Sequence, residues 1–288
     1  MTIIQDLGLP GLPEALPRPV PDNHTHLKST VEFSTLPPGE SLDLAESVGV
    51  PAVVDVGYDL ESSRHAIEWA QKDPRVVAAV ALHPNDAARI YQRGGRMALN
   101  AELAELPELI EADGVRAVGE TGLDYYRTRE AEAQDAQALS FDIHIELARE
   151  FDRTLVIHDR DAHADILKVL DRHKPLDRVV MHCFSGEADF ARECCSRGYW
   201  LSFPGVVTFG SADVLREAAR ATPAEKMLVE TDAPYLTPAP ARGKPNAPYL
   251  LPHTVRFLAD LLDRDLAAFC DQVTGNTFAA YGGPWGRA

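Results

Sequence analysis

From residue 21 onward, short β-branched runs alternate with longer stretches of helical apolar periodicity, and this rhythm limits the possible folds more than any single motif does. Eight runs read as strands, at 21–26, 52–57, 76–82, 115–120, 154–158, 178–182, 199–202 and 227–231. Helices are expected near 40–48, 59–72, 97–111, 130–151, 162–172, 187–197 and 210–220, with two more near 250–262 and 265–280. Runs such as AVVDVG and RVVAAVAL are apolar on both faces, which suits parallel strands covered by helices. Eight βα units in about 265 residues have the size and rhythm of a (β/α)8 TIM-like barrel. A doubly wound open sheet is the alternative on pattern alone. It calls for a Gly-rich loop after an early strand, and neither GxGxxG nor GxxxxGK[ST] occurs.

Pro10, Pro13, Pro17, Pro19 and Pro21 make residues 1–21 read as an irregular extension laid over the fold. No linker divides 22–288, which reads as a single domain. The first residues carry no basic segment followed by an unbroken apolar one, as a secretory signal would. No run approaches the ~18 apolar residues of a membrane span. Cysteines 183, 194, 195 and 270 include no CxxC pair. A soluble chain in a reducing, cytoplasmic compartment is expected. The formal charge of -16, from 44 acidic against 28 Lys and Arg residues, argues against a broad basic nucleic-acid surface. It also makes an anionic membrane a poor partner. It leaves room for an enzyme acting on nucleic acid, because metal ions in a pocket supply positive charge locally. No obligate protein partner is implied.

The chemistry-bearing residues sit at the carboxyl ends of the expected strands. Asp22-Asn23-His24-Thr25-His26 closes the first, and residues two apart in extended backbone point the same way, so His24 and His26 can face one metal. The fourth strand ends in Glu120, the fifth in His158, the sixth in His182 and the eighth in Asp232. In a barrel these ends converge on one face, where catalytic groups gather. Four imidazoles and two carboxylates exceed a tetrahedral zinc site with one open position, and suit two metals sharing a ligand. Glu120 is the natural bridge, since each oxygen can hold one ion. His24, His26 and Asp232 are assigned to the first ion, and His158 and His182 to the second. Such a pair acidifies water and stabilises both entering and leaving oxygens of a displacement. Nitrogen-rich ligation favours zinc, manganese, cobalt or nickel, and magnesium can still support turnover. A lone strand-end His is more often an ordinary hydrogen-bonding group. The coincidence of five strand ends carries the assignment, because the same groups buried without a cation would be electrostatically awkward.

In order along the chain stand DNHTHL at 22–27, LHPND at 82–86, VGETGLDYY at 118–126, IHDRDA at 157–162, HCFSG at 182–186, ETDAPYLTP at 230–238 and GNTF at 275–278. This set resembles the motifs of the TatD family of metal-dependent hydrolases, within the amidohydrolase superfamily, and spans residues 22 to about 281. The resemblance implies a (β/α)8 barrel with metal-dependent deoxyribonuclease activity, 3′–5′ exonuclease or a related phosphodiesterase. It places the metal residues on His24, His26, Glu120, His158, His182 and Asp232, the same set as the spacing. DNA or a small phosphoester is the implied substrate. Two departures from the family pattern fall on the substrate rim. Lys28 stands where an Asp often follows the HxHL element, and Arg242-Gly243-Lys244-Pro245-Asn246-Ala247-Pro248 replaces an Arg-Asn-Glu-Pro stretch.

The expected reaction is attack of a metal-activated water on phosphorus, with Asp232 as ligand and base. Arg160 is a phosphate contact, its fork matching phosphoryl oxygens, unless it pairs with Asp159 or Asp161. His83 bonds a phosphate or leaving oxygen, or else holds its Pro-fixed loop. Asp124 orders the GLDYY loop or backs a ligand imidazole. Tyr125 and Tyr126 stack on a base or pack the loop. Arg242 and Lys244 clamp distal phosphates or stay solvated. Cys183 reads as packing, since neighbours on a strand face opposite ways and it cannot pair with His182 as a nucleophile. His65, His144, His163, His173 and His253 read as surface or helix-face residues. The same metal chemistry attacks carbon, so an amidohydrolase of a small amide, lactone or phosphoester is the alternative. Glu120, where some relatives need a carboxylated lysine, argues against part of that group. A non-catalytic nucleic-acid-binding barrel comes third, because all six ligand positions are filled.

Overall fold

The structure, a computed structural model, describes residues 3–286. Its strands are β1 Asp22–Thr25, β2 Val53–Val56, β3 Val76–Val80, β4 Val115–Asp124, β5 Thr154–Arg160, β6 Val179–Met181, β7 Trp200–Phe203 and β8 Met227–Val229. All seven neighbouring pairs are parallel and follow chain order. The circle is drawn together where β1 meets the segment after β8. There Asp232 N–H donates to His24 O and His26 N–H to Ala233 O, both at 2.9 Å. This is the (β/α)8 barrel that the sequence rhythm predicts. The strands are buried nearly throughout, so Val, Ala and Ile fill both the barrel interior and the layer beneath the helices.

A short helix, α1 Ile3–Asp6, precedes the barrel. The outer layer comprises α2 Leu27–Ser34 and α3 Pro38–Ser47 after β1, α4 Leu60–Lys72 after β2, and α5 Pro84–Leu103 with α6 Leu106–Glu111 after β3. Then come α7 Ala131–Glu150, α8 His163–Leu170, α9 Ala188–Ser196 and α10 Asp213–Ala221, one after each of β4 to β7, and finally α11 Leu251–Leu261 and α12 Leu266–Ala280. Among the described residues no helix is long and apolar enough to cross a membrane.

Three differences from the sequence expectation have local causes. Helix α5 begins thirteen residues before the expected 97, because Gly94-Gly95 reads as a break. The chain instead kinks at Gly95, with φ +69°, and resumes its helix. Helix α2 is too short and too polar to show periodicity, yet it starts directly at Leu27, with Leu27 N–H bonded to Asp55 Oδ1 at 2.8 Å. The extension contains α1, which lies before Pro10 where no proline prevents coiling. It is also fastened down. Tyr249 Oη donates to Pro10 O at 2.7 Å, Val20 N–H to Gly49 O at 2.9 Å, and Ile4, Leu9, Leu16 and Val20 are buried.

Candidate metal centre

Strands β4 and β5 run further than the sequence suggests, and that extra length builds the site. Beyond Glu120 they stay paired, Gly122 with His158 and Asp124 with Arg160. The backbones approach so closely that a Cβ on Gly122, at φ +138°, would overlap the His158 carbonyl oxygen. Next to them, His83 ends the β3 segment as the N-cap of α5, with Pro84 at the first helical position.

The imidazoles surround Glu120. His26 Nε2 lies 3.5 Å from Glu120 Oε1 and 3.4 Å from Asp232 Oδ1. His24 Nε2 is 3.8 and 3.9 Å from the same two atoms. On the other oxygen, Glu120 Oε2, His182 Nε2 approaches to 2.7 Å, His158 Nδ1 to 3.3 Å and His83 Nε2 to 3.8 Å. Three overlapping groups have ligand spacing: His24, His26 and Asp232; His24, Glu120 and His182; His83, Glu120 and His158. The structure therefore brings together all six residues assigned to metal from sequence. It divides the Glu120 side differently, with His182 nearer His24 and His158 nearer His83.

For two of the rings, hydrogen bonds fix which nitrogen faces inward. His26 Nδ1 donates to Val56 O at 2.7 Å, which leaves the Nε2 lone pair for the cluster. His83 is the opposite case. Its Nδ1 accepts Asn85 N–H at 3.0 Å, so in the neutral ring Nε2 carries the proton. Burial pushes His83 down to about 3, so the ring stays neutral. His83 thus has ligand spacing but presents an N–H donor to the cleft.

The donor set fits a divalent ion. Both nitrogens of His24 and of His182 are buried and make no hydrogen bond; the 2.7 Å approach of His182 to Glu120 is out of line for one. Lone pairs aimed at shared space rather than at each other are what a ligand cage requires. Charge balance agrees. Burial alone would raise Glu120, but His182 and His158 hold it well below the carboxylate range. Burial disfavours charge on His26 too, yet Asp232 and Glu120 lift it to about 9. These acids draw positive charge into the cluster, and a cation is the other way to supply it. Nitrogen and oxygen donors in this ratio suit zinc-like ions.

Two surrounding carboxylates support the rings. Asp124 Oδ2 lies 3.4 Å from His158 Nε2 and accepts from Asn85 Nδ2 at 2.9 Å, while its Oδ1 accepts Arg127 N–H at 2.8 Å. It therefore both orders its loop and backs an imidazole. Glu230 received no role from the sequence. It is fully buried, accepts Cys183 N–H at 2.7 Å and lies 3.4 Å from His182 Nδ1. The available signal was an acid directly after the apolar run Met227-Leu228-Val229 and two residues before Asp232.

The remaining expected residues are placed as follows. Arg160 makes no ion pair among the described residues; its guanidinium lies 4.0 Å over the Tyr126 ring, and Asp159 is engaged by His163 Nδ1 at 2.7 Å instead. Tyr125 packs, its hydroxyl donating to Asp165 at 3.1 Å. Arg242 stacks on Phe209, and neither it nor Lys244 lines the cleft. Cys183 departs from the packing expectation. Its backbone is left-handed, φ +44°, which breaks strand alternation and puts the side chain on the cleft wall. Burial pushes its thiol well up, away from nucleophilic character. His144 is wholly buried rather than on a helix face, because its Nε2 accepts Leu82 N–H at 3.0 Å. The cleft above the cluster encloses about 790 Å³.

The TatD related DNase family profile matches residues 21–282. The chain belongs to this family. It is 43% identical over 269 residues to the uncharacterized metal-dependent hydrolase TatD of Mycobacterium tuberculosis, covering 92% of this chain and 99% of that protein. It is 34% identical to the uncharacterized metal-dependent hydrolase YcfH of Escherichia coli K12, covering 90% and 93%. Among solved structures, the TatD homolog YJJV of E. coli superposes with a TM-score of 0.80 at 25% identity, over 92% of this chain and 98% of that one. An uncharacterized amidohydrolase from Saccharomyces cerevisiae shares the fold, with a TM-score of 0.79 at 17% identity over 92% and 100%. This TatD-family chain is a metal-dependent hydrolase whose His/Glu/Asp cluster lies at the carboxyl face of its barrel.

Proposed function

We propose that this TatD-family hydrolase cleaves phosphodiester bonds of DNA, as a 3′–5′ exonuclease working with two divalent ions. The observation that carries the reading is Arg160, which makes no ion pair among the described residues, lies 4.0 Å over the Tyr126 ring and lines the same cleft as the ligand cluster. A planar fork beside a hydrolytic metal site matches a phosphoryl group better than a carbonyl. The 3′–5′ direction rests on the family resemblance.

His24, His26 and Asp232 would hold one ion, and Glu120, His158 and His182 would supply ligands for the other. Zinc, manganese, cobalt, nickel or magnesium bound there supplies the positive charge that polarises a phosphoryl group and acidifies water. The chain's own groups do the rest. Arg160 donates to the non-bridging oxygens and sets the phosphorus over Glu120. Asp232 turns Oδ1 to His26 and His24, leaving Oδ2 to take the proton of the attacking water. His83 donates from Nε2 to the departing oxygen, and its low pKa keeps that proton from being joined by a second. All of these residues come from one chain, so the reading needs no partner protein.

The test uses chelated protein with zinc, manganese or magnesium restored, a 3′-labelled single-stranded DNA, a small chromogenic phosphodiester, and Asp232→Asn as control. Metal-dependent release of mononucleotides, lost in the variant, is the expected result. Intact DNA beside a hydrolysed small ester would move the substrate class. Silence on both substrates would overturn phosphodiester chemistry in favour of amides or lactones.

A further inference from the structure

The walls of the cleft differ in kind. In a circle of eight strands closed between β1 and β8, the ends of β4 and β5 lie across from that closure. Arg127 and Arg160 line the cleft after β4 and at the end of β5, and neither has an ion-pair partner among the described residues. Above β1 and β8 stand aromatic rings instead. Tyr235, which lines the cleft, lies 6.1 Å from the His26 ring, and Phe33 lies 6.1 Å beyond Tyr235, outside the cleft lining, both nearly edge-on. Tyr58 flanks His26 from another side at 5.7 Å. The rings form a series that leads outward from a ligand imidazole to solvent.

Packing does not account for the outer rings. Phe33 is 64% exposed and Tyr235 47% exposed. Nor is the lysine on this side free. Lys28, the only basic residue of α2, is held by Glu32 at 2.5 Å and Glu61 at 3.2 Å, and those acids make this side unfavourable to a phosphate. A flat, uncharged ligand suits it.

We propose that Phe33 and Tyr235 form a base-stacking wall, so that the nucleotide on one side of the scissile phosphate is held by its base. The strand on the other side is held through its next phosphate by Arg127, while Arg160 stays on the scissile one. The substrate class is thereby a nucleic-acid strand with an accessible base next to the cleaved bond, rather than a generic phosphodiester. Base–aromatic stacking tolerates any base, because each has a π-face, so the wall selects for a base without selecting its identity. This inference rests on the phosphodiesterase reading above and deepens it.

The experiment uses metal-reloaded full-length protein and three dinucleotides, each with one phosphodiester: TpT and the two isomers in which one thymidine is replaced by an abasic sugar. The wild type is expected to cleave TpT and one isomer alike, and the other isomer roughly tenfold more slowly in kcat/KM. Phe33→Ala should lower TpT to the rate of the slow isomer and leave that isomer unchanged. Its side chain is at the surface, and its melting temperature checks that the fold is intact. A terminal phosphate on the side away from the required base should increase kcat/KM, and Arg127→Ala should abolish that increase alone. Equal cleavage of all three dinucleotides, or a base requirement and a phosphate preference on the same side, would overturn the stacking wall and leave the phosphodiesterase reading standing. Failure to cleave any dinucleotide or longer DNA would bring down both.

Discussion

Glu230 Oε1 lies 3.4 Å from His182 Nδ1, behind the imidazole whose Nε2 faces Glu120. No hydrogen bond joins them, but the charge of a fully buried carboxylate in that position favours the proton on Nδ1 and so the Nε2 lone pair toward the cluster. Glu230→Gln keeps an acceptor for the Cys183 N–H but removes the charge. Metal affinity is expected to fall roughly 10–100-fold, with the circular dichroism spectrum unchanged. Competition with a fluorescent chelator measures it, and wild-type affinity in the variant would remove Glu230 from the site.

His83 separates two roles that its position alone leaves together. If Nε2 carries a proton, His83→Asn keeps the cap on Asn85 N–H and leaves metal content unchanged while turnover falls. The expected loss in kcat is about 100-fold for an alkoxide leaving group, and much smaller for a nitrophenolate that needs no proton. Metal analysis with the two substrates side by side distinguishes this donor from a ligand. A variant that binds less metal would show that His83 coordinates.

The barrel was legible because eight apolar strands with a helix after nearly each one leave few alternatives. The ligand residues were legible for a related reason. A strand end in a parallel barrel has one destination, so His24, Glu120, His158, His182 and Asp232 could be placed together without knowing any loop. What stayed hidden depends on backbone geometry that residue type does not signal. The left-handed turn at Cys183 reverses the strand alternation on which its packing role was argued. The tautomer of His83 is set by a single amide of the following helix. Helix α2, which carries Phe33, is held by a side chain from β2 rather than by its own periodicity.

His144 gives a pH dependence that can be followed away from the metal cluster. It is buried as a neutral ring between Leu82 N–H and Ser140 O, and burial lowers it to about 4, against 6.5 for an ordinary imidazole. Above pH 6.5 the ring is neutral in folded and unfolded chains alike, and its contribution is intact. As pH falls toward 4 the unfolded chain takes up the proton first, so stability drops, by about 3 kcal/mol in total. Urea unfolding of chelated protein at several pH values, compared with His144→Gln, isolates this effect. A difference between the two curves that does not change across this window would exclude it.

The close pairing of β4 and β5 predicts the consequence of one methyl group. Gly122→Ala would set a Cβ against the His158 carbonyl, in a backbone conformation that L-residues rarely adopt. The obstacle is backbone, so it cannot be relieved by a side-chain rotation, and His158 itself must move. The expected cost is roughly 3 kcal/mol or more, read from the urea midpoint. The local effect is more specific than the global one. His24, His26 and Asp232 stand at the end of β1 and after β8, on backbone that pairs with neither β4 nor β5, and should go on binding metal. His158 and Asp124 share the displaced backbone, so bound metal should fall without vanishing. Metal analysis of the refolded variant decides the point, and full occupancy at wild-type stability would mean that the two strands are not as closely matched as their geometry requires.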